Sequence, residues 1–184
     1  MTTSSIRALK PNVTQEQALR TFSGSAFSAL YWRMRSGPLQ RIADAYVPYC
    51  LFHVRYQMNK AVHTRLFAID AVNGSLDLFQ FPRVPTENEL VTIHTRNRIT
   101  PSLDQARASS LLHDKVLRVV FQQGFFKLRE PKLEIMPEPL EVHLPYWLAF
   151  YGNTVLRCRV MDAVRRRIEG AKASAFFEEW LAAA

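Results

Sequence analysis

The chain has little of what specifies small-molecule chemistry. Its 184 residues include only two cysteines, six glycines and five histidines. Cys50 and Cys158 are far apart, lack metal-ligand spacing and lie in apolar stretches, so no disulfide scaffold or thiolate metal site is expected. They read as buried free thiols. No glycines stand in phosphate-loop or dinucleotide-loop spacing. His53, His63, His94, His113 and His143 are scattered singly, with no nucleophile signature around any Ser or Cys. His53 and His63 are placed to face each other across a hairpin, but that is half of a zinc site. The expectation is therefore no catalytic residue, no metal and no cofactor. Nor is there an apolar run of about 18 residues to cross a membrane. Residues 1–6 lack the basic and apolar regions of a secretory leader, which points to a cytoplasmic protein.

What the chain has is apolar bulk: 48% hydrophobic residues, twelve of them Phe, with 22% charged. That composition supports a packed core and argues against disorder. The net charge is +8, and it is uneven: residues 1–100 carry twelve Lys and Arg against six Asp and Glu. Such an excess is compatible with an anionic partner.

Thr14 with Gln17 fits a capping box opening a helix through Ala18, Leu19 and Phe22, and residues 25–35 extend the helical spacing up to Gly37-Pro38. Residues 39–56 and 62–71 read as a long hairpin across residues 57–60. Asn73-Gly74 marks a turn, and residues 75–81 read as a third strand. Residues 89–99 alternate, with Val91, Ile93 and Ile99 on one face and Thr92, His94, Arg96 and Arg98 on the other. Helical spacing resumes at Ser102 and runs to Gly124. Residues 125–128, 133–136 and 140–151 read as strands broken by Pro131, Pro137 and Pro139, with a turn at Gly152-Asn153 and a return over residues 155–163. An amphipathic helix over residues 171–184 closes the chain, with Phe176, Phe177, Trp180 and Leu181 on its apolar side.

Three short patterns recur in the same order. Thr14-Gln-Glu-Gln17-Ala18 is matched by Ser102-Leu-Asp-Gln105-Ala106, and Pro48-Tyr49-Cys50-Leu51 by Pro145-Tyr146-Trp147-Leu148. Asp70-Ala71-Val72, ending a strand, is matched by Asp162-Ala163-Val164. The Pro-to-Asp spacing is 22 residues in the first half and 17 in the second, as a longer hairpin arm would give. The expected fold is α+β: two helix-plus-antiparallel-sheet units, residues 1–86 and 87–184, about a pseudo-twofold axis, with a C-terminal helix. The repeated aspartates read as turn caps.

Thr14 to Ala18 and Asp70-Ala71-Val72-Asn73-Gly74 resemble the PepSY-type domain, a cystatin-like α+β fold. In that family a Ser/Thr-x-x-x-Ala helix start precedes a sheet whose strand ends in Asp-Ala-x-Thr-Gly. The second half keeps Ser102 to Ala106 but departs at Arg165-Arg166. The resemblance implies a binding module or peptidase modulator, mostly extracytoplasmic in the family, and carries over no catalytic residue.

Two surfaces stand out as binding candidates. The aromatic Pro-Tyr segments, with Tyr46, Tyr49, His143, Tyr146 and Trp147, suit a sheet face that takes a peptide or protein partner. The alternative is a basic face of Arg65, Arg96 and Arg98 with Arg165, Arg166 and Arg167, suited to nucleic acid or another anion. An enzyme with an unrecognised site is a second alternative. A homodimer is compatible with either surface.

Overall fold

The computed structural model describes residues 3–24, 37–58, 61–122, 132–152 and 157–183. The expected helical extension over 25–35, the residue 59–60 turn, the strand over 125–128 and the turn at Asn153 lie outside these. Among the described residues, eight strands and three α-helices form a mixed α+β structure. They run β1 (Ser4–Leu9), α1 (Gln15–Ser23), β2 (Leu39–Met58), β3 (Ala61–Asp70), β4 (Phe79–Phe81), β5 (Leu90–Thr95), α2 (Gln105–Gln122), β6 (Leu133–Tyr151), β7 (Arg157–Asp162), β8 (Arg167–Ile168) and α3 (Ala171–Ala183). No helix is long and apolar enough to cross a membrane.

All strands belong to one sheet, ordered β4-β3-β2-β6-β1-β5, with β7 beside β6 and β8 beside β7. Its spine is the long antiparallel pair β2–β6, whose register sets Val47 against Leu144, Pro48 against His143 and Tyr46 against Pro145. Beyond β5, Arg98 bridges to Tyr46, so the path β2–β6–β1–β5 curls back onto β2.

Two prolines fit inside this spine for a physical reason. A strand residue's N–H and C=O point to the same side. The Pro48 carbonyl accepts from Ala71 N–H at 2.8 Å and the Pro145 carbonyl from Ala163 N–H at 3.1 Å. The missing N–H groups therefore face outward, where β3 and β7 end, and the β2–β6 ladder loses nothing. Pro137 and Pro139 do not split β6, as proline content predicts they should. Pro137 stays in register opposite Phe52, and the ladder absorbs Pro139-Leu140 as a bulge between Cys50 and Leu51.

The helices are crossed over. Helix α1, capped by Thr14 in the expected box with Gln17, buries Ala18 and Phe22 against Ala149, Tyr151 and Met161 of β6 and β7. Helix α2 buries Ala108, Leu112 and Val116, four residues apart, against Phe52, Val54, Tyr56, Phe67 and Ile69 of β2 and β3. Each helix thus covers the hairpin of the other half. The lead-in segments do the same. Asn12 N–H donates to Ala163 O at 2.8 Å and its side chain to Val164 O at 2.7 Å. Ser102 N–H donates to Ala71 O at 2.9 Å and its hydroxyl to Val72 O.

These contacts correct the expected alignment of the helix starts. The N-cap of α2 is Asp104, whose carboxylate accepts Arg107 N–H at 2.7 Å, not Ser102. Counted from the caps, Pro11-Asn-Val-Thr14 and Pro101-Ser-Leu-Asp104 stand at the same place before their helices, two residues away from the Thr14–Ser102 match. The other sheet face is covered by α3, where Phe177 packs on Tyr146 with ring centroids 5.3 Å apart, and by Leu76, Phe79, Phe81, Leu90 and Ile99.

Candidate functional site

The repeated aspartates act as turn caps. Asp70 is fully buried, and its Oδ1 accepts the N–H groups of Val72, Asn73 and Gly74 while Oδ2 accepts that of Leu76 at 2.9 Å. Gly74 closes this turn at φ 65°, and a Cβ there would sit 2.9 Å from Leu111 Cδ1. Asp162, equally buried, accepts Val164 and Arg165 N–H, both at 2.8 Å.

The predicted aromatic set is structural in its contacts. Tyr49 and Tyr146 are buried to within 2% of full, and their hydroxyls meet at 2.8 Å across the spine. Burial pushes both phenols well above their ordinary pKa, so both stay protonated. Tyr46 is buried too, beside Asp44. Trp147 is half-buried, and its indole N–H donates to Val13 O at 2.9 Å.

His143 is 2% exposed; its Nδ1 lies 3.3 Å from the Arg7 carbonyl, and its Nε2 has no hydrogen-bond partner. His53 and His63 do not face each other. The hairpin register opposes His53 to Leu66 and His63 to Tyr56, on which it stacks. His53 Nε2 instead reaches Glu138 at 3.2 Å.

The arginines of the expected basic face sit on three separate segments. Arg65 is half-buried on β3; Arg96 is exposed and Arg98 half-buried beyond β5. Arg165 is held by Asp162 at 2.5 Å and Glu169 at 3.4 Å, with its guanidinium 4.8 Å over the Phe79 ring. Arg167 meets Glu169 at 3.0 Å and Asp77 at 3.6 Å, and Arg166 is exposed in the left-handed turn at φ 56°. The carboxylates beside Arg165 and Arg167 offset much of the charge of that triplet.

One hollow borders the first Pro-Tyr segment. It encloses about 280 Å³ and runs from Pro48–Phe52 to Ala71, to Pro101, Leu103 and Gln105 before and at the start of α2, and to Pro137–Glu141 in the bulged part of β6. Its walls are mostly apolar, with Glu138 and Glu141 on the β6 side. The reason it is open is visible in the second half. Two residues after Pro145 stands Trp147, whose indole reaches the Val13 segment before α1. Two residues after Pro48 stands Cys50, too short to reach Leu103 in the same way.

The Cys50 thiol is half-exposed, and burial, then the Glu141 and Asp70 carboxylates, push its pKa up. It is a poor nucleophile. The described residues include no group of three or more His, Cys, Asp or Glu placed to hold a metal. What the hollow offers is a mostly apolar lining with two carboxylates on one side, which suits binding. Sequence reasoning pointed to the Pro48-Tyr49 segment but missed Glu138, Glu141 and the opening at Cys50. The one available signal was the Pro137-Glu-Pro139 run, which marks a bulge. The chain matches no family model, no curated protein and no solved structure.

Proposed function

We propose that this chain is a non-catalytic binding module made of two copies of one strand–helix–hairpin unit, and that the groove beside Cys50 holds an extended peptide segment of a partner protein. Duplication is supported by the register, in which Val47 and Leu144, each one residue before the shared Pro, lie opposite each other. A pseudo-twofold axis passes there in this reading. The reciprocal contacts of Asn12 with Ala163 and Ser102 with Ala71, and the matched caps Thr14 and Asp104, support it further. The PepSY resemblance fits a hairpin ending in Asp-Ala-Val, and only the family's binding role is carried over.

The observation that carries the peptide reading is the contrast of Cys50 with Trp147. One copy fills the space between its strand and the neighbouring helix lead-in; the other leaves a groove of about 280 Å³ with proline on three sides. A largely apolar hollow with a few polar groups at its rim is the usual form of a peptide or small-ligand site. The test is selection from a random peptide display library on the full chain, followed by the Cys50→Trp variant. Selected peptides are expected to lose binding to Cys50→Trp, whose thermal melt stays within a few degrees of the parent. Failure to select any peptide, or equal binding to both proteins, refutes the reading.

A further inference from the structure

The groove has one polar feature that the peptide reading leaves unused. Glu141 rims it with a side chain 66% exposed, and no Lys or Arg among the described residues lies within ion-pair distance of its carboxylate. Among the described residues the nearest cation-forming group is buried behind it: His143 Nε2 is 3.9 Å from Glu141 Oε1. That nitrogen is the only described buried side-chain polar atom without a hydrogen-bond partner. A buried acceptor left unpaired costs free energy, so its retention next to an unpaired carboxylate calls for a functional account.

We propose that Glu141 recognises the cation of the bound peptide, a Lys or Arg next to an apolar residue seated in the groove, and that His143 competes with that cation for the same carboxylate. This rests on the peptide reading above. The apolar residue occupies the space at Cys50, Leu103 and Leu140, and the cation meets Glu141 at the mouth. Glu138 is already engaged by His53 at 3.2 Å, so Glu141 is the free anion of the pair. With His143 neutral, its Nδ1–H turns to the Arg7 carbonyl and Nε2 is a bare acceptor that leaves Glu141 to the ligand. Protonation places a positive charge 3.9 Å from the Glu141 carboxylate, and the peptide's cation then faces a neutralised partner.

The groups that set this balance are few. From its own strand His143 faces Glu141, from β1 the Arg7 carbonyl, from the segment after β5 the Arg98 guanidinium, and from β2 the uncharged Pro48. Burial holds the imidazole below its ordinary 6.5, Arg98 adds to that, and Glu141 and the Arg7 carbonyl oppose it. The site is therefore in its cation-binding form at neutral pH and loses the cation as the medium turns acid.

Three probes of one shape test this: 4-phenylbutylamine, 4-phenylbutanol and 4-phenylbutyrate, titrated into the ¹⁵N-labelled full chain. Amide shifts at Cys50, Leu103 and Glu141 locate the binding. The ammonium is expected to bind roughly two- to fivefold tighter than the alcohol, the size of an exposed ion pair, and the carboxylate weakest. Glu141→Gln is expected to remove that preference. No shift at the groove with any probe overturns the groove itself and this proposal with it. Equal binding of the three leaves the groove standing and overturns the proposal. For the competition, the His143 ring C–H is titrated in the parent protein with and without saturating 4-phenylbutylamine. Its apparent pKa is expected to fall on binding, by at most roughly 0.3–0.7 where protonation cancels the whole two- to fivefold preference, since the two couplings are reciprocal. An unchanged titration overturns His143 as the competitor, without relying on any variant that must first fold.

Discussion

Removing one of the two phenol hydroxyls at the centre of the spine gives a sharp test of how the two halves are joined. Tyr49 and Tyr146 donate and accept across 2.8 Å, both are buried, and the described contacts give neither hydroxyl another hydrogen-bond partner. Tyr49→Phe keeps the ring and its packing but leaves the Tyr146 hydroxyl buried and unpaired, which costs about 1–3 kcal/mol. Tyr146→Phe does the same to Tyr49. The double variant removes both polar atoms together and leaves two phenyl rings in an apolar core, so it recovers most of the second penalty. The expected coupling is about 1–2 kcal/mol, well above the ~0.3–0.5 kcal/mol scatter of independent sites. Each single variant should melt roughly 2–12 °C lower, at about 2–4 °C per kcal/mol for a chain of this size. Urea denaturation of the four proteins, with equal m-values, supplies the cycle. Additive losses would refute the reasoning, because they would mean that each hydroxyl is satisfied by something other than its partner.

Three further outcomes follow from the same contacts. Asp70→Ala strands four backbone N–H groups around a buried turn and is expected to cost more than 3 kcal/mol, with Asp70→Asn recovering part of it, as read by urea midpoints. His143 is held neutral in the fold and has a pKa below its ordinary 6.5, so the unfolded chain binds its proton first. Its contribution is intact above about pH 6.5 and is lost as pH falls from there to the folded-state pKa; melts of His143→Gln should lack that component. Both thiols are expected to resist alkylation in the native protein at pH 7.5. Burial pushes Cys158 up to about 12, and the half-exposed Cys50 should be the faster of the two by mass-spectrometric labelling.

The parts of this structure legible in the sequence are those governed by local chemistry. Thr14 and Gln17 announce a capping box because both partners lie within one turn. Asp70 before Asn73-Gly74 announces a capped turn for the same reason. The long hairpin follows from β-branched and aromatic runs. The strand Ser4–Leu9 was not legible, because six residues alternating over a single ribbon carry little periodic signal and owe their place to β5. Nor was the continuity of β6 through Pro137 and Pro139, since proline's cost depends on which side of the strand its missing N–H faces.

The candidate site divides along the same line. The recurrence of Pro-Tyr and Asp-Ala-Val, and the presence of Cys50 and Trp147 two residues after the two prolines, are properties of the sequence alone. Only the tertiary structure decided what they do. It set each helix on the other half's hairpin, turned the conspicuous tyrosines inward to meet at their hydroxyls, and paired two of the three consecutive arginines with carboxylates. It also left the space at Cys50 unfilled and put an unpaired imidazole nitrogen behind Glu141. Side-chain type limits which contacts are possible. Which of them form depends in the main on partners distant in sequence, ninety-seven residues apart for the two tyrosines, and no local pattern encodes such a pairing.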